Sequence, residues 1–304
     1  MKPVLLSFLL WLPLLGRSQT PIQVVTKVIE KTLPYADGQL IQLNAQKADV
    51  ILKGWNQATV SVKLRLIAKH PDRAVAEREV TYHQYVFQNE NGHIALANRF
   101  VIPQRAGKLQ SQLKAVYEIN VPTKAPIALT NAFGDMHLTD LAGDVNLTFE
   151  FGKLSMESLS GKVSVTSSYG DIDGRNLHTT LTVKAEKADV VLRDLGGTVT
   201  IQSRYGTLNT LPATSLNELI IDATRTDVAV SLKRLLDFRF DVAATSAEIY
   251  VPEELSDLIS KRGNKQSFRY LPNGRKSEIR IQNSYGKTSI QNDKSVITTN
   301  QKRP

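Results

Sequence analysis

Hydrophobic positions recur every 18 residues in the middle of the chain, from about residue 130 to about residue 210. An aromatic residue followed by glycine marks each period, with one degenerate copy: Phe133-Gly134, Phe151-Gly152, Tyr169-Gly170, Lys187-Ala188 and Tyr205-Gly206. The aliphatic columns of the same period are Met136, Leu154, Ile172, Val190 and Leu208; Leu141, Leu159, Leu177 and Leu195; Val145, Val163, Leu181 and Val199; and Leu147, Val165, Val183 and Ile201. A period kept in several columns at once predicts a repeat architecture.

Each repeat unit shows the alternation of a half-buried β-strand at two places. Met136 and Leu138 alternate with polar residues, and Val145 and Leu147 do the same after a turn at residues 139–143. The aromatic-glycine pair forms the second turn, where glycine permits a positive φ. Stacking equivalent strands about 4.8 Å apart turns each column into a continuous core. We therefore predict an all-β fold built as a parallel β-solenoid of about 18 residues per coil. An antiparallel β-sandwich is the alternative, because a repeated hairpin would keep the same period.

The flanking segments carry irregular copies of the repeat and longer strands. Residues 47–52 nearly duplicate residues 187–192, and later copies occur at 247–251 and 285–290. Alternation predicts strands at 59–68 and 113–121 and a hairpin of 80–88 with 93–101. Short helices are predicted at 73–79 and 252–260. We therefore divide the chain into an N-terminal β region with long strands and a hairpin (19–125), a β-repeat solenoid (126–290) and a flexible polar tail (291–304).

The N-terminus has the features of a secretory signal peptide. Lys2 is followed by an apolar run at residues 4–15 and by the small residues Gly16 and Ser18. The run is too short to cross about 30 Å of hydrocarbon comfortably. We expect residues 1–18 to be removed after Ser18 and the mature protein to be exported, to the periplasm, the cell surface or the medium.

Composition narrows the chemistry that the chain can perform. It contains no cysteine, which excludes disulfides, thiolate-ligated zinc and a thiol nucleophile. Its 5 histidines have no metal-ligand spacing, and no nucleophile elbow, phosphate loop or dinucleotide fingerprint occurs. We therefore predict no catalytic, cofactor-binding or metal-binding residues, and not an enzyme. The net charge of +9 lies beside no nucleic-acid recognition motif, so nucleic acid is not an expected partner.

The densest basic segment is a candidate polyanion-binding site. Its members are Lys261, Arg262, Lys265, Arg269, Arg275, Lys276 and Arg280. Such a segment could contact an anionic envelope polymer or lipid head groups. We favour the simpler interpretation, a solvated loop and hairpin surface.

Two columns of the repeat could bind ligands. The aromatic column (Phe133, Phe151, Tyr169 and Tyr205) would be a flat stacking platform for sugar rings if exposed, and a ladder in the core if buried. We favour burial, because the column precedes a turn glycine and two members lack a hydroxyl. Asp135, Asp171 and Asp189 share another position and could bind calcium. We favour a role in the turn, because each coil supplies one such acid and Lys153 and Thr207 interrupt the row.

The run from Tyr117 to Pro122, the sequence Phe133-Gly134-Asp135-Met136 and the repeated Leu-x-Gly-x-Val-x-Val units together resemble the "putative adhesin" family. Its members are exported β-strand-repeat proteins of unknown function, and the resemblance covers roughly residues 38–290. It implies a surface role and carries no catalytic residues.

Two classes of function follow from these observations. The first is a non-catalytic cell-envelope scaffold or adhesion module that binds an envelope polysaccharide, anionic lipid head groups or another envelope protein. The alternative is a carbohydrate-binding or carbohydrate-active β-helix protein. The first predicts contacts spread over a flat face. The second predicts a groove that joins aromatic side chains to at least two carboxylates.

Overall fold

The structure is a computed structural model that describes residues 21–90, 92–274 and 277–292. The predicted signal peptide, Arg275 and Lys276, and all of the predicted tail after Asn292 lie outside these residues. The strands are β1 (Gln23–Pro34), β2 (Leu40–Ala45), β3 (Ala48–Trp55), β4 (Thr59–His70), β5 (His83–Glu90), β6 (His93–Phe100), β7 (Gln112–Pro122), β8 (Ile127–Asn131), β9 (Met136–Thr139), β10 (Asp144–Glu186), β11 (Val190–Leu232), β12 (Phe238–Thr245), β13 (Ile249–Tyr250), β14 (Ile259–Arg262), β15 (Lys265–Tyr270), β16 (Ser277–Ser284) and β17 (Thr288–Asn292).

Stacked parallel coils form the body of the molecule, which confirms the predicted β-solenoid. Strand β8 pairs with the start of β10, so that Ile127 lies beside Val145. Farther along, β10 pairs with β11 and places Leu181 beside Val199. Both pairs are 18 residues apart, so each turn of the chain places equivalent residues in register. The members of the predicted aliphatic columns are buried, and they form one continuous core with the rest of the apolar interior. Leu159, for example, is 1% exposed.

Helix contributes little. The helix α1 (Arg73–Glu79) begins after Asp72, whose side chain accepts a 2.8 Å hydrogen bond from the backbone N–H of Ala74. Such a cap stabilises a helix start by satisfying one of its free N–H groups. Short 3-10 turns lie at Val80–Tyr82, Gln104–Ala106, Leu235–Asp237 and Glu253–Leu258. Within the described residues, no helix is long and apolar enough to cross a membrane.

At both ends of the solenoid the order of coils in space differs from their order along the chain. Strands β2 and β3 stack on β8 and β9 on one side, and on β6 and β7 on the other. At the far end, β16 lies between β11 and β12, and β17 lies between β11 and β13. The chain therefore inserts an early and a late segment into the stack.

Antiparallel strands close the two ends. At the N-terminal end, β4 pairs antiparallel with both β1 and β7, and β5 and β6 form the predicted hairpin. At the C-terminal end, the hairpin of β14 and β15 pairs antiparallel with β12. A change from parallel to antiparallel pairing ends a stack that would otherwise offer its last coil to further copies.

Candidate functional site

Each coil turns a tight corner at the position of the aromatic column. The residue at the corner has a left-handed backbone conformation in successive coils: φ is 20° at Phe151, 62° at Tyr169, 53° at Lys187, 58° at Tyr205, 51° at Arg225 and 64° at Tyr285. In most coils glycine follows, because a Cβ there would meet the backbone of the neighbouring coil; at Gly206 it would meet the carbonyl oxygen of Ala188. We call the corner residues Phe133, Phe151, Tyr169, Lys187, Tyr205, Arg225 and Tyr285 the corner column.

The aromatic members of the corner column are exposed, and the prediction of a buried ladder was wrong. Phe133 is 44% exposed and Tyr169 is 50% exposed. The inside of each corner is taken by the residue two positions earlier, such as Phe149 or Ser167, which is buried. A corner residue with positive φ therefore projects away from the core.

The rings of the corner column stack on one another. Phe133 and Phe151 are nearly parallel, with centroids 5.0 Å apart and planes at 4°, and Phe151 and Tyr169 follow at 5.2 Å and 13°. This is the separation of offset-stacked rings. The faces of these rings are therefore turned toward the neighbouring rings of the column. The column presents ring edges and tyrosine hydroxyls to the solvent rather than a flat stacking platform.

Two cations extend the column beyond its stacked rings. The Nζ atom of Lys187 lies 4.8 Å from the centroid of the Tyr169 ring and donates a 3.1 Å hydrogen bond to its hydroxyl. This hydrogen bond raises the pKa of Lys187. The Arg225 guanidinium lies between two rings, 5.5 Å from Tyr205 and 5.8 Å from Tyr285, and donates to the Tyr205 hydroxyl at 2.9 Å. Within the described residues neither cation has a carboxylate partner in an ion pair.

A depression of about 360 Å³ lies beside the corner column on the outer side of the sheet. It spans coils of β10 and β11 and is lined almost entirely by polar residues: Thr166, Ser167, Ser168, Lys184, Ala185, Glu186, Gln202, Ser203, Arg204, Asp222 and Thr224. We call it the polar trough. Ser168, Glu186, Arg204 and Thr224 each immediately precede a corner residue, so the polar trough and the corner column form one surface.

The charged side chains of the polar trough differ from those on the other strand of the coils in their pairing with described residues. In the part of the chain that the structure describes, no ion pair or side-chain hydrogen bond joins Lys184, Glu186, Arg204 or Asp222 to another residue. Charges on the other strand of the coils are paired instead. There Arg175 lies 2.6 Å from Glu157, and Asp173 contacts Arg193 at 2.9 Å and Lys153 at 3.4 Å. The polar trough thus keeps hydrogen-bonding capacity that a ligand can use.

The aspartate row joins neighbouring coils. An Oδ1 atom accepts from the backbone N–H 18 residues later in each case, at 2.9 Å from Asp135 to Lys153, from Asp171 to Asp189 and from Asp189 to Thr207. The row therefore serves the turns and their stacking. In residues 21–90, 92–274 and 277–292 no group of three or more His, Asp or Glu side chains has the arrangement of a metal site.

The structure gathers only part of the basic segment. Lys261, Arg262 and Lys265 are exposed around the turn between β14 and β15. Arg269 is paired with Asp241 at 3.3 Å. Arg280 lies on another strand, 3.0 Å from Glu278 and 3.4 Å from Glu218, and Arg275 and Lys276 lie outside the described residues.

Sequence reasoning did not single out the polar trough. Most of its residues, including all its charged ones, occupy outward positions of strands whose inward positions carry the repeat, and outward polar residues are the ordinary surface of a half-buried strand. The available signal was the period itself, since Glu186 and Arg204 are 18 residues apart and lie side by side. Nothing in the pattern indicates that these two side chains leave each other unpaired.

Comparison with known proteins gives one family match and several solved structures of low identity. The model of the Toastrack DUF4097 family matches residues 39–291. Among solved structures, a "putative adhesin" from Parabacteroides merdae is 10% identical, with 87% of this chain and 96% of that chain covered and a TM-score of 0.37. A "putative lipid binding protein" from Parabacteroides distasonis is 11% identical, with 88% and 97% covered and a TM-score of 0.38. A "putative cell adhesion protein" from Clostridium sporogenes is 12% identical, with 88% and 100% covered and a TM-score of 0.26. No curated protein matches the chain.

Proposed function

The chain belongs to the Toastrack DUF4097 family, and from this premise we propose that the protein is an exported, non-catalytic binding module of the cell envelope. Its ligand is an envelope polysaccharide that lies along the polar trough and the adjoining corner column. The observation that carries this proposal is the set of charged side chains in the polar trough that form no ion pair or side-chain hydrogen bond with any other described residue.

The chemistry of the surface suits a hydroxyl-rich polymer. Hydroxyl, amide and charged groups line the polar trough, and each can donate to or accept from a sugar hydroxyl. Glu186 and Asp222 line the polar trough, which adjoins the corner column that contains Tyr169 and Tyr205. This joins aromatic side chains to two carboxylates, as a carbohydrate-binding groove requires. Because the surface crosses several coils, a linear chain can contact equivalent positions in succession.

The carboxylates of the repeat support binding rather than cleavage. Hydrolysis of a glycosidic bond needs a pair of carboxyl groups that flank the bond as acid and base or nucleophile. Asp135, Asp171 and Asp189, the row that the repeat aligns, accept hydrogen bonds from backbone N–H groups instead. They are thereby occupied in holding adjacent coils together.

The test is co-sedimentation of the mature protein with insoluble polysaccharide prepared from the envelope of the source organism. A variant that carries Lys184→Ala, Gln202→Ala and Arg204→Ala should bind about tenfold more weakly, which corresponds to roughly 1.4 kcal/mol. The matched control carries Arg175→Ala and Arg193→Ala on the other strand of the coils and should bind like the unaltered protein. Equal affinity of all three proteins would overturn the proposal.

Two further measurements test the proposed export of the protein and the proposed absence of catalysis. N-terminal sequencing of the protein recovered from the envelope or the medium should begin at Gln19. Prolonged incubation with the polysaccharide should release no new reducing or unsaturated ends. Retention of residues 1–18 or release of such ends would contradict the respective part of the proposal.

A further inference from the structure

We infer that the polar trough and the corner column select an acidic glycan, a polysaccharide with carboxylate groups along its chain. This inference rests on the proposed function and specifies its ligand. Four cations carry it: Lys184 and Arg204 in the polar trough, and Lys187 and Arg225 in the corner column. Among the described residues none of the four has a carboxylate partner in an ion pair.

Positive charge is available here although the surrounding segment, residues 126–225, is acidic. Residues 126–225 contain four more acidic than basic residues. Part of that negative charge is committed within the protein, because the aspartate row accepts backbone hydrogen bonds and Glu157 and Asp173 are paired with cations. The charge that a ligand meets is therefore set by the residues of the polar trough and the corner column, and not by the net charge of the segment.

Within the site itself cations outnumber carboxylates. The lining of the polar trough holds two cations, Lys184 and Arg204, and two carboxylates, Glu186 and Asp222. Lys187 and Arg225 of the adjoining corner column add two cations and make the combined surface positive. One coil before Ser168, the residue that precedes the corner is acidic: it is Glu150, which lies outside the lining. The excess of positive charge is therefore confined to the coils from residue 181 to residue 225. A glycan that carries regularly spaced carboxylates matches this charge better than a neutral one.

The two corner cations are held in place for such a contact. Lys187 and Arg225 each use one donor on a tyrosine hydroxyl and lie against a ring, which fixes the head group at the corner. A lysine has three donors and an arginine five, so most of their N–H groups remain for a ligand. The two positions are two coils apart, a separation of roughly 10 Å at the usual strand spacing. Carboxylates on separate sugar units of one extended chain can therefore meet both.

The test compares two polymers that differ only in charge, polygalacturonate and the same polymer after reduction of its carboxyl groups, with affinity measured by calorimetry on the mature protein. We expect the reduced polymer to bind about tenfold more weakly, and binding of the acidic polymer to weaken as salt is raised, because exposed charges are screened. Lys187→Gln combined with Arg225→Gln should weaken binding of polygalacturonate about tenfold and weaken binding of the reduced polymer clearly less, so that the preference for the acidic polymer is lost. Arg175→Gln with Arg193→Gln is the matched control, and melting curves verify that each variant is folded.

The outcomes separate this inference from the proposed function. Equal affinity for both polymers, or full affinity for polygalacturonate in the corner variant, would overturn the selection of an acidic glycan while envelope polysaccharide binding stands. Failure to bind either polymer or the envelope polysaccharide would overturn both. A preference for polygalacturonate that the corner variant removes, with the control unchanged, would support the inference.

Discussion

The imidazole of His83 is a buried titratable group near the N-terminal end of the molecule. The side chain is 7% exposed, its Nε2 atom lies 3.3 Å from the carbonyl oxygen of Ile67, and its ring packs against Phe100. Among the described residues its Nδ1 atom has no hydrogen-bond partner. Burial lowers the pKa of His83 below its usual 6.5, because the charged form is desolvated.

We therefore expect stability to fall in acid. Below pH 6.5 the unfolded chain binds a proton at His83 that the folded protein resists, so the free energy of unfolding decreases as pH drops through this range, by up to about 1.4 kcal/mol per pH unit. Above pH 6.5 both states are neutral at this position and the effect is absent. Urea denaturation between about pH 5 and pH 8 measures it, and His83→Gln should flatten the curve. Parallel curves for the two proteins would contradict the assignment.

The hydroxyl of Tyr117 is a buried polar group whose removal should not destabilise the protein. Tyr117 is fully buried on β7, and its hydroxyl has no partner in the part of the chain that the structure describes. Tyr117→Phe should therefore leave stability unchanged or raise it by up to about 1 kcal/mol, because an unpaired buried hydroxyl is itself destabilising. Tyr117→Ala, which removes the ring as well, should cost about 3–5 kcal/mol. Denaturant melts of both variants decide this, and a large loss for Tyr117→Phe would reveal a bonded hydroxyl.

At the scale of the coil, the aspartate row supplies hydrogen bonds between neighbours. Asp171→Asn keeps an oxygen that can accept from the backbone N–H of Asp189, so it should change stability by no more than about 0.5 kcal/mol. Asp171→Ala leaves that N–H without its partner and should cost about 1 kcal/mol. Melts with and without calcium should be identical for all three proteins. A rise in melting temperature with calcium that Asp171→Asn removes would show a metal site instead.

Where glycine follows the corner residue, as at Gly206, the neighbouring coil requires it. A Cβ at Gly206 would meet the carbonyl oxygen of Ala188, and the backbone there has φ of 150°. At Gly263, in the turn between β14 and β15, φ is 60° and nothing lies within 4 Å. Gly263→Ala should cost about 1–2 kcal/mol, the penalty for a left-handed alanine. Gly206→Ala should cost clearly more, because adjacent backbones must also separate; equal losses in denaturant melts would contradict this.

The repeat could be predicted from sequence because each coil obeys local rules. Period, strand alternation and the positions of turns all follow from where apolar residues and glycines lie, and the buried columns confirm them. The exposure of Phe151 and Tyr169 did not follow. An apolar residue before a turn glycine suggests the interior, whereas the direction of its side chain depends on φ at the corner, which the pattern does not specify. The sequence pattern likewise could not predict that the charged side chains of the polar trough have no ion-pair partner among the described residues, because it records residue type and not side-chain direction.

At the scale of the whole molecule, the sequence predicted the coils but not their order. An aliphatic column looks the same whichever coil lies above it, because every coil offers a similar apolar strand to its neighbours. In space, β2 and β3 stack directly on β8 and β9, and β16 and β17 stack directly on β12 and β13. Each of these strands pairs with one of several nearly equivalent partners. Long-range pairing of this kind leaves no periodic signal.

The late insertion makes the C-terminal strands a structural part of the stack. Strand β16 is bonded to β11 on one side and to β12 on the other, with Ile279 beside Leu219 and Phe240. A chain that ends at Leu271 lacks β16 and β17 and leaves the apolar edges of β11 and β12 without their partner. We expect such a chain to lose the closing hairpin of β14 and β15 together with β12.

Hydrogen exchange of the shortened chain would locate the damage. Amides of β12, β14 and β15 should exchange freely, while those between β8 and the first coils of β11 should stay protected, because each coil depends mainly on its nearest neighbours. The control chain ends at Asn292 and keeps every described strand, so it should match the full chain in protection and melting temperature. If the chain that ends at Leu271 kept the protection of β12, then β12 could close directly onto β11, and the inserted strands would not be needed to hold the end of the solenoid.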